Sequence, residues 1–362
     1  SVKNPRLRFA VKKLLSKIGD IEKQVEDPAE DKKTIAKKLD DAFQETQKEC
    51  KAAVRQNGQA IQFVMHVDEE SEFFVFEEVA RIAVEQDSDA LRHVPPDWVA
   101  DYGALARIAV RKHWNAFINV DATFEGYGEI AQEVLQEAGT ALDWVPRTRE
   151  DFGELALVAV LADGEALEYV PENRHDYFEL ARAAVETNPE ALRFAPHNHL
   201  RFRNLAEIAL AGDGKALEHV PRDRADYDEL AKIAVMQNGH ALEYVSTGRP
   251  DYVALAKIAV QRTPYALRDV DIWLGNLSNE DYIAICEVAV RGDPDTIEFI
   301  PALIPFGDAN HRLRYTTQYF RLLKFAVQKK ATAFQRIQAS AMSLIHQFGL
   351  PPYLVLATIA VR

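Results

Sequence analysis

The chain repeats itself every 25 residues, and this period constrains the fold more than any other feature. The segments DFGELALVAVLADGEALEYVP (151–171), DYFELARAAVETNPEALRFAP (176–196) and DYDELAKIAVMQNGHALEYVS (226–246) are copies of one motif. A shared aliphatic position recurs in steps of 25 residues at Val110, Leu135, Val160, Val185, Leu210, Val235 and Val260. A repeat this short cannot bury its own apolar face, so we expect the copies to stack on one another.

Each copy contains two helical segments. Apolar residues of the first segment follow the spacing of one face of an α-helix, as at Tyr227, Leu230, Ala231, Ala234 and Val235. Gly or Pro separates this helix from a short second helix such as 241–245. The pattern predicts an all-α fold, an α-solenoid (superhelix) of about ten two-helix repeats of 25 residues.

The sequence also predicts how the helices begin and end. The pairs Asp151/Glu154, Asp176/Glu179 and Asp226/Glu229 match the capping box, in which an Asp caps the helix and a Glu three residues later caps in return. We expect a glycine such as Gly139 to be the left-handed residue that ends the first helix. A proline such as Pro189 is expected to start the second helix.

Three regions follow from the pattern. Residues 1–49 are expected to form an N-terminal helical cap or linker, since 30–56 has the apolar spacing of one long helix. Residues 50–300 form the repeat solenoid, and 301–362 form irregular basic repeats that we expect to continue into further sequence. Insertions at 271–280 and 301–318 interrupt the period, and insertions in repeat proteins often lie on a binding face. Candidate binding residues in these insertions are Trp273, Phe306, Arg312 and Arg314.

The charge distribution favours one class of partner. The net charge is −13, but residues 61–310 contribute −25 and residues 311–362 contribute +8. An acidic body repels nucleic acid, so we expect a protein partner with a basic surface. We expect a soluble protein without a membrane span, because charges interrupt the apolar runs. The two cysteines, Cys50 and Cys286, do not suggest a disulfide framework and are expected in the core.

No pattern of catalytic residues is present in the sequence. It contains no Walker A, GxGxxG, GxSxG or HExxH motif. The pair His197 and His199 lacks the further ligands of a metal site and is expected in a solvated loop. We therefore expect no enzyme activity, no cofactor and no metal. The alternative is an enzyme fragment whose site lies in the insertions or in flanking sequence.

One position per repeat forms a candidate binding stripe, which we call the ladder. It is the residue before the last aliphatic residue of each second helix: Phe63, His93, Asn119, Trp144, Tyr169, Phe194, His219, Tyr244, Asp269 and Phe299. These residues either pack between neighbouring repeats or bind a partner. For binding, the candidate anchors are Trp144, Tyr169, Phe194 and Tyr244, and the candidate acidic rim is Glu168, Glu218 and Glu243.

The strings AVMQNGHALEYVS (234–246) and AVRQNGQAIQFV (53–64) resemble a bacterial tandem-repeat family. That family is a domain of unknown function with a consensus close to AVxxNGxALxYAS, found in secreted effectors of intracellular bacteria and in some large-virus proteins. This chain departs from it at the Val-Pro that often ends the second helix. The resemblance implies a non-catalytic interaction scaffold or targeting module within a larger effector that a bacterium secretes into the host cytoplasm.

Overall fold

A computed structural model describes residues 32–66, 76–270, 277–301 and 309–330, together with Ser16 and Ala333. The chain divides into two compact units, Ser1–Pro171 and Glu172–Arg362. Every regular element among the described residues is a helix.

The continuous described part of the first unit begins with a long helix, which confirms the helix expected over 30–56. It then alternates α-helices with 3-10 helices. The α-helices are α1 (Lys32–Gln56), α2 (Phe76–Gln86), α3 (Tyr102–Lys112), α4 (Tyr127–Glu137) and α5 (Phe152–Ala162). The 3-10 helices are η1 (Gly58–His66), η2 (Ser88–His93), η3 (Pro96–Trp98), η4 (Trp114–Asn119), η5 (Gly139–Trp144) and η6 (Gly164–Tyr169).

The second unit continues the same alternation. Its α-helices are α6 (Tyr177–Thr187), α7 (Phe202–Gly212), α8 (Tyr227–Gln237), α9 (Tyr252–Arg262), α10 (Asn279–Gly292) and α11 (Ala309–Lys329). Its 3-10 helices are η7 (Pro189–Phe194), η8 (Gly214–His219), η9 (Gly239–Tyr244), η10 (Pro264–Asp269) and η11 (Pro294–Phe299).

Within each unit, neighbouring repeats stack α-helix on α-helix and 3-10 helix on 3-10 helix. The predicted all-α repeat solenoid is therefore confirmed. The repeat at 152–170 shows how the core forms: Phe152, Leu155, Ala156 and Val160 of α5 are at most 1% exposed. The small Ala156 lets the neighbouring helix approach closely.

The second helix of each repeat is a 3-10 helix, which the sequence pattern does not distinguish from an α-helix. A 3-10 helix has about three residues per turn, so residues three apart share a face. In η6 and the residue after it, Gly164, Leu167 and Val170 are buried, whereas Glu168 is exposed. The side chain of the preceding Asp163 accepts a hydrogen bond from the backbone N–H of Glu165 and caps the helix.

The predicted capping box at the first helix is wrong. None of the carboxylates of Asp151, Asp176 and Asp226 caps its helix. Each accepts two hydrogen bonds from the arginine two residues earlier, as in Arg224 Nε and Nη2 to Asp226 Oδ1 and Oδ2, both 2.8 Å. The bidentate, charge-assisted geometry explains why the carboxylate turns away from the backbone N–H groups. We call these pairs the Arg–Asp clamps: Arg149–Asp151, Arg174–Asp176, Arg224–Asp226 and Arg249–Asp251.

The clamps also join neighbouring repeats. The guanidinium of Arg149 donates to the carbonyl oxygen of Ala122 at 2.8 Å and lies over the ring of Tyr127, 4.6 Å from its centroid. Arg224 makes the corresponding contacts with the carbonyl of His197 and with the ring of Phe202. A clamp therefore fixes the start of its own helix against the preceding repeat.

The glycines between the helices also differ from the prediction. Gly139 is the first residue of η5, as Pro189 is the first residue of η7, and it does not end the first helix in a left-handed conformation. Its role is close approach, because a Cβ at residue 139 would lie 2.4 Å from the carbonyl oxygen of Ala159 in the next repeat. At Pro189 and Pro264 the next repeat has a glycine: a Cβ at Gly212 would lie 2.9 Å from Pro189 Cγ, and a Cβ at Gly292 would lie 2.8 Å from Pro264 Cγ.

Candidate protein-binding surface

The 3-10 helices place the nine ladder residues from His93 to Phe299 at the edge of the core. Trp144, Tyr169, Phe194 and Tyr244 are the last residues of η5, η6, η7 and η9, and all four are half-buried. The residue before each of these four is exposed. Asp143, before Trp144, thereby joins the expected acidic rim of Glu168, Glu243 and Glu218, the last of which precedes His219.

In the first unit, ladder residues pair with the first turn of the equivalent 3-10 helix in the preceding repeat. His93 Nε2 lies 3.1 Å from Gln59 Oε1, and Asn119 Nδ2 donates to Asp89 Oδ1 at 3.1 Å. Trp144 stacks on Trp114, with ring centroids 5.4 Å apart and planes 20° apart.

The same pairing occurs in the second unit. His219 Nε2 lies 2.8 Å from Glu190 Oε2, and His240 Nδ1 lies 2.6 Å from Asp269 Oδ2. Tyr265 meets Phe299 edge to face, with centroids 5.8 Å apart. The ladder is therefore a series of contacts between neighbouring repeats, and its outer edge faces solvent.

The first unit has the most apolar part of this surface. Trp114 is 42% exposed and Ile118 is 59% exposed, and both belong to η4. η5 packs against η4 and η6 packs against η5, which brings Asp143, Trp144, Glu168 and Tyr169 alongside. We call this set the tryptophan surface: Trp114, Ile118, Asp143, Trp144, Glu168 and Tyr169.

The tryptophan surface is acidic. Burial raises the pKa of the Tyr169 hydroxyl, and the negative charges of Glu168, Asp143, Glu165 and Asp163 raise it further. These carboxylates disfavour the negative charge of an ionised Tyr169 hydroxyl, and the same carboxylates would stabilise a cation placed beside Tyr169.

In the second unit, other side chains of this chain already interact with the ladder residues Tyr244 and Phe194. Burial raises the pKa of Tyr244. The negative charge of Glu218, together with the hydrogen bond that its carboxylate accepts from the Tyr244 hydroxyl, raises this pKa further. Phe194 is already covered by a cation of this chain, since the Arg193 guanidinium lies 4.6 Å from its ring centroid. Phe194 is therefore less open to a partner than the tryptophans.

The side chains of the candidate insertion residues are not among those that the structure describes. Trp273 and Phe306 lie outside the described residues. Arg312 and Arg314 belong to α11, where their backbone alone is described.

Sequence reasoning missed Trp114 and Ile118. The ladder residue of their repeat is Asn119, and a polar residue at that position does not predict an apolar surface on the same 3-10 helix. One signal was available: Trp114 occupies the position where most repeats have Gly or Pro. Trp114 thus puts a large aromatic side chain where most repeats have a small residue, and this side chain stacks on Trp144.

The cysteines and the His197/His199 pair make structural contacts. Cys50 and Cys286 are buried, as expected, and burial raises the pKa of Cys50 to about 12 and raises that of Cys286 as well. The ring of His197 meets Phe202 and the ring of His199 stacks on Phe178. Within the described ranges, no group of three or more His, Cys, Asp or Glu side chains is arranged to hold a metal ion.

None of the helices in the described part of the chain is long and apolar enough to cross a membrane. Comparison of the chain with protein-family models, with curated proteins and with solved structures finds no match.

Proposed function

We propose that this chain is a non-catalytic protein-binding scaffold, and that its tryptophan surface receives a basic segment of a protein partner. The observation that supports the proposal is the exposed Trp114–Trp144 stack bordered by Asp143 and Glu168. The pair has rigid aromatic contact area that a partner can cover at little cost in side-chain entropy.

The chemistry of the surface favours a cation. Lysine and arginine bind over the face of tryptophan rings, and the interaction strengthens when water is excluded. Carboxylates at Asp143 and Glu168 add attraction and increase the rate of encounter with a basic partner. The net charge of −25 over residues 61–310 acts in the same direction and disfavours nucleic acid.

The second unit extends the proposal through Glu218, Tyr244 and Glu243. Its ladder has fewer open aromatic faces, because Arg193 covers Phe194. We therefore assign the anchoring contacts to Trp114, Trp144 and Tyr169 of the first unit. The resemblance of the repeat to a family found in secreted bacterial effectors supports placing such a scaffold in a secreted protein.

Selection from a random peptide library on the full chain tests this proposal. We expect enrichment of peptides rich in Lys and Arg, and a photo-crosslinking residue at Ile118 should capture them. The matched control places the same residue at Gln132, which is exposed on α4, away from the 3-10 helices, and should capture none.

The variant Asp143→Lys/Glu168→Lys completes the design. Reversing two exposed charges should remove the basic bias of the selected peptides and slow association most at low salt. Enriched peptides without a basic bias, or crosslinking at Gln132 equal to that at Ile118, would show that the surface is wrongly assigned.

A further inference from the structure

The repeat that begins with α7 lacks the Arg–Asp clamp that the repeats on both sides of it have. Where the clamped repeats have Arg-x-Asp, as in Arg224-Ala225-Asp226, the repeat that begins with α7 has His199-Leu200-Arg201. The arginine thus occupies the place of the aspartate, and no carboxylate two residues away can pair with it.

The side chains at this junction rearrange around Phe178. The His199 ring stacks on the Phe178 ring, with centroids 3.8 Å apart and planes 28° apart. The Arg201 guanidinium lies 5.7 Å from the Phe178 centroid. Its Nη1 is 3.6 Å from Glu179 Oε1, which is too long for a hydrogen bond, and both side chains are mostly exposed.

A cleft of about 250 Å³ opens between α6 and α7 beside this rearrangement. Phe178, Leu205 and Ile208 form its apolar lining, and Arg182, Arg201 and Asn204 form its polar lining. Glu179 also borders it. The cleft is therefore a concave site with one apolar side and one side rich in donors.

Donors in this cleft are left over. Arg182 Nε donates to Glu186 Oε1 at 2.8 Å, and its two Nη groups make no hydrogen bond to the residues that the structure describes. Within the described residues, the Arg201 guanidinium and the Asn204 carboxamide make no hydrogen bond. Two guanidinium groups and an amide that converge on one cleft are the donors that recognise an oxyanion.

We propose that this cleft binds the carboxylate of a small organic acid whose apolar body lies on Phe178, Leu205 and Ile208. Arg201 and Arg182 hold the carboxylate, and Asn204 donates to one of its oxygens. The carboxylates of Glu186 and Glu179 balance the charges of Arg182 and Arg201. The cleft therefore has no net charge to offset the larger desolvation cost of a dianion, and this favours a monoanionic carboxylate over a dianionic phosphate. This site is independent of the tryptophan surface, has the opposite charge preference and lies in the other unit.

Ligand-observed NMR titration of the full chain with benzoate is the test. We expect saturable binding with a dissociation constant on the order of millimolar, as for a small fragment. Benzyl alcohol, which keeps the apolar body and lacks the charge, should bind at least tenfold more weakly. Phenyl phosphate as the dianion should also bind more weakly than benzoate.

The decisive variant restores the clamp of the other repeats. His199→Arg/Arg201→Asp should keep or raise the melting temperature, because it installs a pair that four neighbouring repeats already use. It should also weaken benzoate binding at least tenfold. Lys232→Gln, an exposed site on α8 with the same net charge change, should leave binding unchanged.

Three comparisons and one absence of binding would overturn the proposal. The comparisons are benzoate binding unaffected by the clamp-restoring variant, benzyl alcohol binding as tightly as benzoate, and phenyl phosphate binding more tightly than benzoate. Absence of saturable benzoate binding up to tens of millimolar would do so equally. A fall in the melting temperature of the clamp-restoring variant is answered by Arg201→Gln, which removes the charge alone and should weaken benzoate binding by a similar factor.

Discussion

Gly139 of η5 lies so close to Ala159 of α5 that a Cβ at residue 139 would be 2.4 Å from the Ala159 carbonyl oxygen. Gly214 and Ala234 in the second unit, where the distance would be 2.3 Å, show the same relationship. The contact joins the second helix of one repeat to the first helix of the next, so glycine at this position sets how closely repeats stack.

Gly139→Ala should therefore destabilise the fold by about 1–3 kcal/mol, because the backbone oxygen cannot move aside without separating the two repeats. Urea unfolding followed by circular dichroism measures the change. Gln132→Ala, at an exposed helix position, is the control and should change stability by less than about 0.5 kcal/mol. Equal stabilities for the two variants would mean that the repeats are not packed at this distance.

Pro189 and Gly212 should be coupled. Gly212→Ala places a Cβ 2.9 Å from Pro189 Cγ but 3.9 Å from Pro189 Cβ. The clash is therefore with Cγ, a ring atom that alanine lacks. We expect the substitution to cost about 1–3 kcal/mol in the parent chain. In a Pro189→Ala background the ring is absent, and the greater helix propensity of alanine should make the same substitution neutral or stabilising. A double-mutant cycle measures this coupling, and purely additive effects would contradict it.

The Arg224–Asp226 clamp should give stability that depends on pH. Hydrogen bonds from Arg224 lower the pKa of Asp226 below its ordinary value. Because the folded-state pKa is depressed, the stabilisation is complete above the unfolded pKa of about 4 and is lost as pH falls through the folded pKa.

Asp226→Asn should thus cost about 1–2 kcal/mol at pH 7, as for a partly exposed charged hydrogen bond. The difference from the parent chain should shrink as the pH falls below about 4. Denaturant unfolding at several pH values between 3 and 7 measures both quantities. Arg224→Lys keeps the charge but not the bidentate geometry and should lose part of the stability. A pH-independent difference between Asp226→Asn and the parent would argue against the clamp.

Tyr169→Ala separates the packing role of the ladder from its binding role. Tyr169 is half-buried, so its removal should cost about 1–2 kcal/mol, whereas removal of the fully buried Phe152 should cost about 3–5 kcal/mol. The same Tyr169 variant should weaken binding of a basic peptide at least tenfold. Thermal unfolding and peptide titration give the two numbers. A stability loss as large as that of Phe152→Ala, with unchanged peptide affinity, would assign Tyr169 to the core alone.

The sequence by itself determined the fold class. The 25-residue period and the spacing at Leu230, Ala231, Ala234 and Val235 require stacked helical repeats, because an apolar face on so short a unit must be covered by its neighbours. The long helix over 32–56 and the burial of Cys50 and Cys286 follow from the same spacing. These features depend on local pattern, which is why they could be predicted.

Only the tertiary structure decided what the remaining positions do. Asp151 and Asp226 match a capping box in sequence, but an arginine two residues earlier competes for the carboxylate with a bidentate pair. Gly139 matches a helix-ending signal, but the approach of Ala159 from the next repeat is what requires it. The exposure of Trp114 and Trp144 likewise follows from how η4 and η5 stack. Distances between repeats decide the glycine and tryptophan outcomes, which no pattern within one repeat contains. The clamp is a local Arg-x-Asp pattern, but the sequence alone does not decide whether the carboxylate pairs with the arginine or caps the helix.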